Sequence, residues 1–114
     1  MKRVIICGGR NFDDEDCVSD VMQEQLSDEE WTVITGGASG ADSLAHKVAI
    51  HNGFATEVYP ADWDKYGRSA GPMRNQQMID TGVDLVIAFP GGRGTAHMVS
   101  IAKNKGVRVY EVRI

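Results

Sequence analysis

Cysteine and proline are scarce: two and three residues, respectively, in a chain of 114. Cys7 and Cys17 form neither a CxxC pair nor a zinc-ligand spacing, which removes a dithiol redox centre and a cysteine zinc site. With no base beside it in the sequence, Cys7 reads as a buried free thiol at the end of an apolar strand. No apolar run approaches the length of a bilayer span. The first apolar stretch is too short for a signal peptide and is cut at once by Gly8-Gly9-Arg10. The expected location is therefore the cytoplasm. Basic residues are also few. Twelve Lys and Arg stand against 16 Asp and Glu, a net charge of -4. Such a chain lacks the basic footprint that phosphate-backbone binding leaves, which argues against nucleic acid as the main partner. There is no repeat, no low-complexity tract and no linker, so residues 1–114 are expected to form one domain.

What is present alternates between strand and helix. Residues 3–7, 31–35, 55–59, 84–89 and 107–112 read as strands. The fourth of these has no polar alternation, as suits a strand covered on both faces. Residues 13–26, 39–51, 72–81 and 95–105 read as helices, with Gly53, Gly82 and Gly106 after three of their ends. Asp13, Asp14, Glu15 and Asp16 crowd the first turn of the first helix, where the dipole favours negative charge; capping explains them better than a metal site. Strands alternating with helices imply right-handed parallel crossovers. The expected fold is α/β: a doubly wound, parallel, five-stranded Rossmann-like sheet of order 3-2-1-4-5. Ligands in such sheets sit beyond the carboxyl ends of the strands, where strand order reverses.

Three glycine-rich segments follow strands one, two and four. They are Gly8-Gly9-Arg10-Asn11, then Gly36-Gly37-Ala38-Ser39-Gly40-Ala41-Asp42, then Pro90-Gly91-Gly92-Arg93-Gly94-Thr95. In the expected order these strands are neighbours, so the three loops open together. Glycine lets backbone N–H groups approach a phosphate and adopts positive φ. The second and third loops run into helix N-termini, which present free N–H groups and partial positive charge. Ser39 and Thr95 are placed to cap those helices, while Arg10 and Arg93 offer bidentate contacts to phosphate or carboxylate. His97, one turn further, is a candidate ligand contact or proton donor. Residues 60–71 read as a long connection. In it, Trp63 and Tyr66 either stack on a base, with Arg68 or Arg74 toward phosphate, or pin the loop to the domain. Asp62 and Asp64 lack a third oxygen ligand at fixed spacing, so no metal is expected there. Neither GxxxxGK[ST] nor a GxGxxG after a strand occurs, so the chain has no Walker-type phosphate loop and a standard dinucleotide fold is not indicated.

These motifs resemble those of known families. Pro90-Gly91-Gly92-Arg93-Gly94-Thr95 resembles the PGGxGT signature of the LOG family of phosphoribohydrolases, which cut the N-glycosidic bond of nucleoside monophosphates. The run from Thr35 to Asp42, with Ala45-His46, is similar to the SGxAxGxDxxAH segment of the single-stranded-DNA-binding protein DprA. Both belong to the SLOG superfamily. Together with Gly8-Gly9-Arg10 and Gly71-Pro72-Met73-Arg74-Asn75, they make the chain most similar to the small YspA-like branch. Arg74 and Met78 match the RKxxM stretch of the LOG active site, but the glutamate of PGGxGTxxE is Met98 here. A thioether neither stabilises an oxocarbenium-like centre nor activates water, so no catalytic residue is assigned.

The resemblance implies binding of a nucleotide or nucleotide-derived signal molecule by a sensor or sequestering protein. The ligand-binding residues are expected to be Gly8, Gly9, Arg10, Asn11, Gly36, Gly37, Ala38, Ser39, Gly40, Asp42, Arg74, Gly91, Gly92, Arg93, Gly94, Thr95 and His97. It implies as alternatives LOG-like phosphoribohydrolysis with a different carboxylate, or DprA-like binding of single-stranded DNA. It also implies a homodimer or larger assembly. No cofactor, metal or membrane partner is expected.

Overall fold

A computed structural model describes residues 1–114, the whole chain. In chain order the elements are β1 (Lys2–Cys7), α1 (Glu15–Leu26), β2 (Trp31–Thr35), α2 (Ala41–His51), β3 (Ala55–Val58), α3 (Trp63–Tyr66), α4 (Ala70–Asp80), β4 (Leu85–Ala88), α5 (Arg93–Asn104) and β5 (Arg108–Glu111). All strand pairs are parallel and the order is β3-β2-β1-β4-β5, as the alternation predicts. Side chains alternate across the pleat, so the apolar run of β1 feeds two cores. Val4 and Ile6 join Val33, Val18, Met22 and Ala45 on the α1–α2 face. Ile5 and Cys7 join Ile34, Met78, Met98 and Ala102 on the α4–α5 face. Burying such side chains is worth ~1.5–3 kcal/mol each, which is why β1 and β4 carry no polar residue between their apolar ones. No helix is long and apolar enough to cross a membrane.

Three local expectations are corrected. Ser39 and Thr95 do not cap α2 and α5: Gly40 and Gly92 occupy the N-cap positions, and neither helix has a side-chain cap. Gly40 sits at φ 76°, and a Cβ there would strike the Gly9 carbonyl oxygen, so no serine or threonine fits that position. Residues 60–71 are not an irregular loop. Asp62 accepts a hydrogen bond from Lys65 N at 3.1 Å and so starts α3; a 3₁₀ turn over Gly67–Ser69 then leads into α4 at Ala70. The acidic cluster before α1 caps it as expected, Asp14 accepting from Cys17 N at 3.0 Å.

At the opposite end of the sheet from the glycine loops, Arg3 ties β1 to the edge strand β3 and to the end of α4. Its guanidinium donates to both carboxylate oxygens of Glu57 at 2.8 and 2.9 Å, and to the Gly82 carbonyl at 2.9 Å. The Tyr59 hydroxyl donates to the same carboxylate at 2.7 Å. These donors, Arg3 first, hold the Glu57 carboxyl at about 2 against its ordinary 4.5. A depressed carboxyl contributes stability that is complete above its unfolded value and is lost as pH falls through the folded one. Denaturation midpoints are therefore expected to drop between pH 4.5 and 2. Glu57→Gln should flatten that part of the profile. Because the pair is partly open to solvent, its share is about 1 kcal/mol or less. An identical acid limb in the variant would show that other groups drive it.

Candidate functional site

The carboxyl ends of β1, β2 and β4 finish side by side, since β1 lies between β2 and β4 in register. Gly9 joins the three loops that follow. Its N–H donates to the Pro90 carbonyl at 2.9 Å, and its carbonyl accepts from Ala41 N at 3.1 Å. A side chain at Gly9 would meet the Pro90 carbonyl, which explains glycine there without a ligand. Over this platform opens a cavity of about 660 Å³, floored by Cys7 and walled by the first and third loops and by α4. A smaller chamber of about 310 Å³ adjoins it over the second loop. Arg10, Ala38, Trp63 and Arg74 line both.

The charge of the cavity is opposite to that of the chain. Four of the seven arginines, Arg10, Arg68, Arg74 and Arg93, line it. None of the four is in a salt bridge; Lys65, Arg108 and Arg113, away from the cavity, are also unpaired, whereas Arg3, Lys2, Lys47, Lys103 and Lys105 are paired. The one carboxylate in the lining, Asp42, is buried and faces inward to the second loop. Its Oδ2 accepts from Gly36 N at 3.0 Å and Ala38 N at 3.3 Å. Burial pushes the Asp42 carboxyl up, against the opposing pull of the Ala38 hydrogen bond and the Arg74 charge. The second loop thus spends those two N–H groups on its own aspartate.

Arg74, on α4, lies flat against Gly36, where a Cβ would overlap its guanidinium. Its Nη1 donates to the Gly36 carbonyl at 2.7 Å and its Nε to Asn75 Oδ1 at 3.0 Å. Burial pulls the Arg74 guanidinium down from its ordinary value, with the Asp42 charge acting in the other direction. Asn75, itself buried, extends the chain of contacts to α5: its Nδ2 reaches the Gly94 carbonyl at 3.1 Å and His97 Nδ1 at 3.2 Å. The Cys7 thiol beneath is pushed up to about 12, chiefly by burial, so it is a neutral floor and not a nucleophile.

The N-terminus of α5 is the open donor surface. The first N–H to find an acceptor is Ala96, on the Gly92 carbonyl at 3.0 Å, so those of Arg93, Gly94 and Thr95 are unspent. Gly92 and Gly94 line the cavity, yet a Cβ at either would meet nothing within 4 Å, and neither has positive φ. Internal packing therefore does not require glycine at these two positions, and the approach to the helix end beside them is open.

Of the residues expected from sequence, Gly8, Gly9, Arg10, Ala38, Asp42, Arg74, Gly92, Arg93, Gly94, Thr95 and His97 line the large cavity. Gly36, Gly37 and Ser39 line the smaller chamber. Asn11, Gly40 and Gly91 line neither; Gly40 and Gly91 are packed against Gly9, and Asn11 is exposed. Trp63, 46% exposed, lines both chambers, with the Arg10 guanidinium 5.4 Å from its ring centre. Tyr66 lines neither and carries Lys65 against its ring. Sequence reading missed Asn75. Its signal was adjacency to Arg74 on a helix, which says nothing about an interhelical contact. Met98, at the position of the LOG-type glutamate, is fully buried in the α4–α5 core.

The model of the YspA, cpYpsA-related SLOG family matches residues 2–66, more than half of the chain. The match spans the first two glycine loops and ends before Arg74. The Gene 61 protein of Mycobacterium phage D29 is 37% identical over 118 residues, covering 96% of this chain and 94% of that protein. Among solved structures, DNA processing protein A (DprA) from Streptococcus pneumoniae is similar, with a TM-score of 0.79 at 22% identity. All of this chain is covered and 51% of that one, so the chain spans about half the length of that neighbour. At such identity the likeness is one of fold.

Proposed function

The chain belongs to the YspA, cpYpsA-related SLOG family, and from that premise we propose that it binds a nucleotide or a nucleotide-derived signal molecule as a sensor or sequestering protein. The single observation that carries this reading is the set of four unpaired arginines around one cavity in a chain of net charge -4. Unpaired guanidiniums repel one another, and an anion offsets that cost. The free N–H groups of Arg93, Gly94 and Thr95 suit a phosphate at the N-terminus of α5. The exposed ring of Trp63 suits a base. Binding without turnover is favoured over glycosidic hydrolysis because Met98 replaces the carboxylate and Asp42 is committed to two backbone N–H groups. A bounded cavity, in place of a basic stripe, favours a small anion over a DNA strand. Association into a homodimer or larger assembly belongs to the same proposal.

Native mass spectrometry of the purified protein, before and after denaturing release of small molecules, tests this. The expected result is an intact nucleotide derivative, or in an empty protein a thermal shift with a nucleotide panel; the same spectra count the subunits. Free base with ribose phosphate would instead establish hydrolysis. An empty protein that ignores the panel and shifts an oligonucleotide at low salt would hand the site to DNA.

A further inference from the structure

Asn75 is a buried polar side chain in the cavity wall that joins α4 to α5 by hydrogen bonds. Its orientation is decided by two partners that cannot exchange roles. Arg74 Nε is only a donor and the Gly94 carbonyl is only an acceptor. The oxygen of Asn75 must therefore face Arg74 at 3.0 Å, and its nitrogen must face Gly94 at 3.1 Å. That nitrogen also lies 3.2 Å from His97 Nδ1. An amide nitrogen has hydrogens and no lone pair to offer, so His97 Nδ1 must accept. The proton of a neutral imidazole is then on Nε2. Nε2 has no hydrogen-bond partner in the chain and is not among the buried unpartnered atoms, so it is accessible from outside, and His97 is one of the residues that line the cavity. His97 lies three residues after Gly94 and four after Arg93 on α5, hence on the helix face that carries them.

We infer that Asn75 is a positioning residue that locks His97 as an Nε2–H donor, and that this donor holds an oxygen of the bound anion beside the N-terminus of α5. The inference rests on the anion-site reading for its ligand, but not for its geometry. Arg74 sits at the head of the relay, so one guanidinium both faces the ligand and sets the donor. An amide in this role selects a ligand with an oxygen lone pair at that point and disfavours one that presents an N–H there.

Two measurements on the full chain test it. The first is a long-range proton–nitrogen correlation spectrum of the nitrogen-labelled protein without ligand, at about pH 9, where imidazoles are neutral. His97→Gln identifies the His97 signals among the three histidines. The expected pattern is a protonated Nε2 and a bare Nδ1, reversed in Asn75→Asp, whose carboxylate must accept. A protonated Nδ1 in the unmodified protein overturns the inference whether or not any ligand binds. The second is calorimetric binding of AMP and of inorganic phosphate. The amide nitrogen of glutamine takes the place of imidazole Nε2, and that of asparagine the place of Nδ1. His97→Gln should keep affinity within about threefold, while His97→Asn and His97→Ala lose on the order of tenfold, as for one hydrogen bond to a charged group. Equal affinities for the Gln and Asn variants would overturn the donor role. If neither probe binds even the unmodified protein, the anion-site reading falls, and the nitrogen signals still decide the lock.

Discussion

Arg74→Ala is expected to weaken AMP binding by between about tenfold and a hundredfold, as for a lost charge-assisted contact. It should also lower unfolding free energy by ~2 kcal/mol, because the side chain has structural partners that stay behind. Removing it leaves the Gly36 carbonyl and Asn75 Oδ1 short of a donor. It also removes the positive charge that counters burial at Asp42, whose carboxyl should rise further. Arg74→Lys restores the charge but not the planar fork that reaches Gly36 and Asn75 at once, so it should recover only part of both losses. Calorimetry and denaturant titration on the same samples check this. Unchanged AMP affinity in Arg74→Ala would take Arg74 out of the site.

The second large effect is a contrast between two glycines. Gly94→Leu should abolish AMP binding while leaving stability unchanged or raised by up to about 1 kcal/mol, since glycine is a poor helix residue. At Gly94 a Cβ meets nothing and the backbone is ordinary helix. Gly40→Ala should do the reverse of preserving the fold: a loss of ~3 kcal/mol or more. Its positive φ of 76° is reserved for glycine, and a Cβ would enter the Gly9 carbonyl and the Arg10 backbone. That would break the Gly9–Ala41 contact and with it the joint between the loops. Thermal melts with and without AMP distinguish the two. A Gly94→Leu protein that still binds AMP would place the ligand away from α5, and a stable Gly40→Ala protein would mean that the loop has room to rearrange.

The same residue type therefore serves opposite ends in these loops, and that difference was not legible in the sequence. Gly91-Gly92-Arg93-Gly94 reads as one phosphate-cradling run. In the fold, Gly91 is glycine because Thr95 and Gly9 press on it, while Gly92 and Gly94 are glycine beside open space. Likewise Gly36 and Ala38 read as donors to a ligand, and their N–H groups are taken by Asp42. Residues 60–71 read as a long connection because a four-residue helix carries no periodicity. Only the cap at Asp62 marks the start of α3.

What the sequence determined by itself was the sheet. Apolar runs at strand length, helical spacing between them and glycine at the turns are local signals, and crossover handedness narrows them to a few doubly wound orders, of which 3-2-1-4-5 is the one expected and found. That order by itself sets the three loops side by side. Only the tertiary structure decided which cations are free. Arg3 and Arg74 have the same side chain. One is neutralised by Glu57 across the sheet, and the other lies over Gly36 at the edge of a cavity with room for an anion. Pairing across 54 residues or 38 is a property of distance in space, which spacing along the chain does not encode. The Asn75–His97 contact belongs to the same class, because it exists only where α4 and α5 pack.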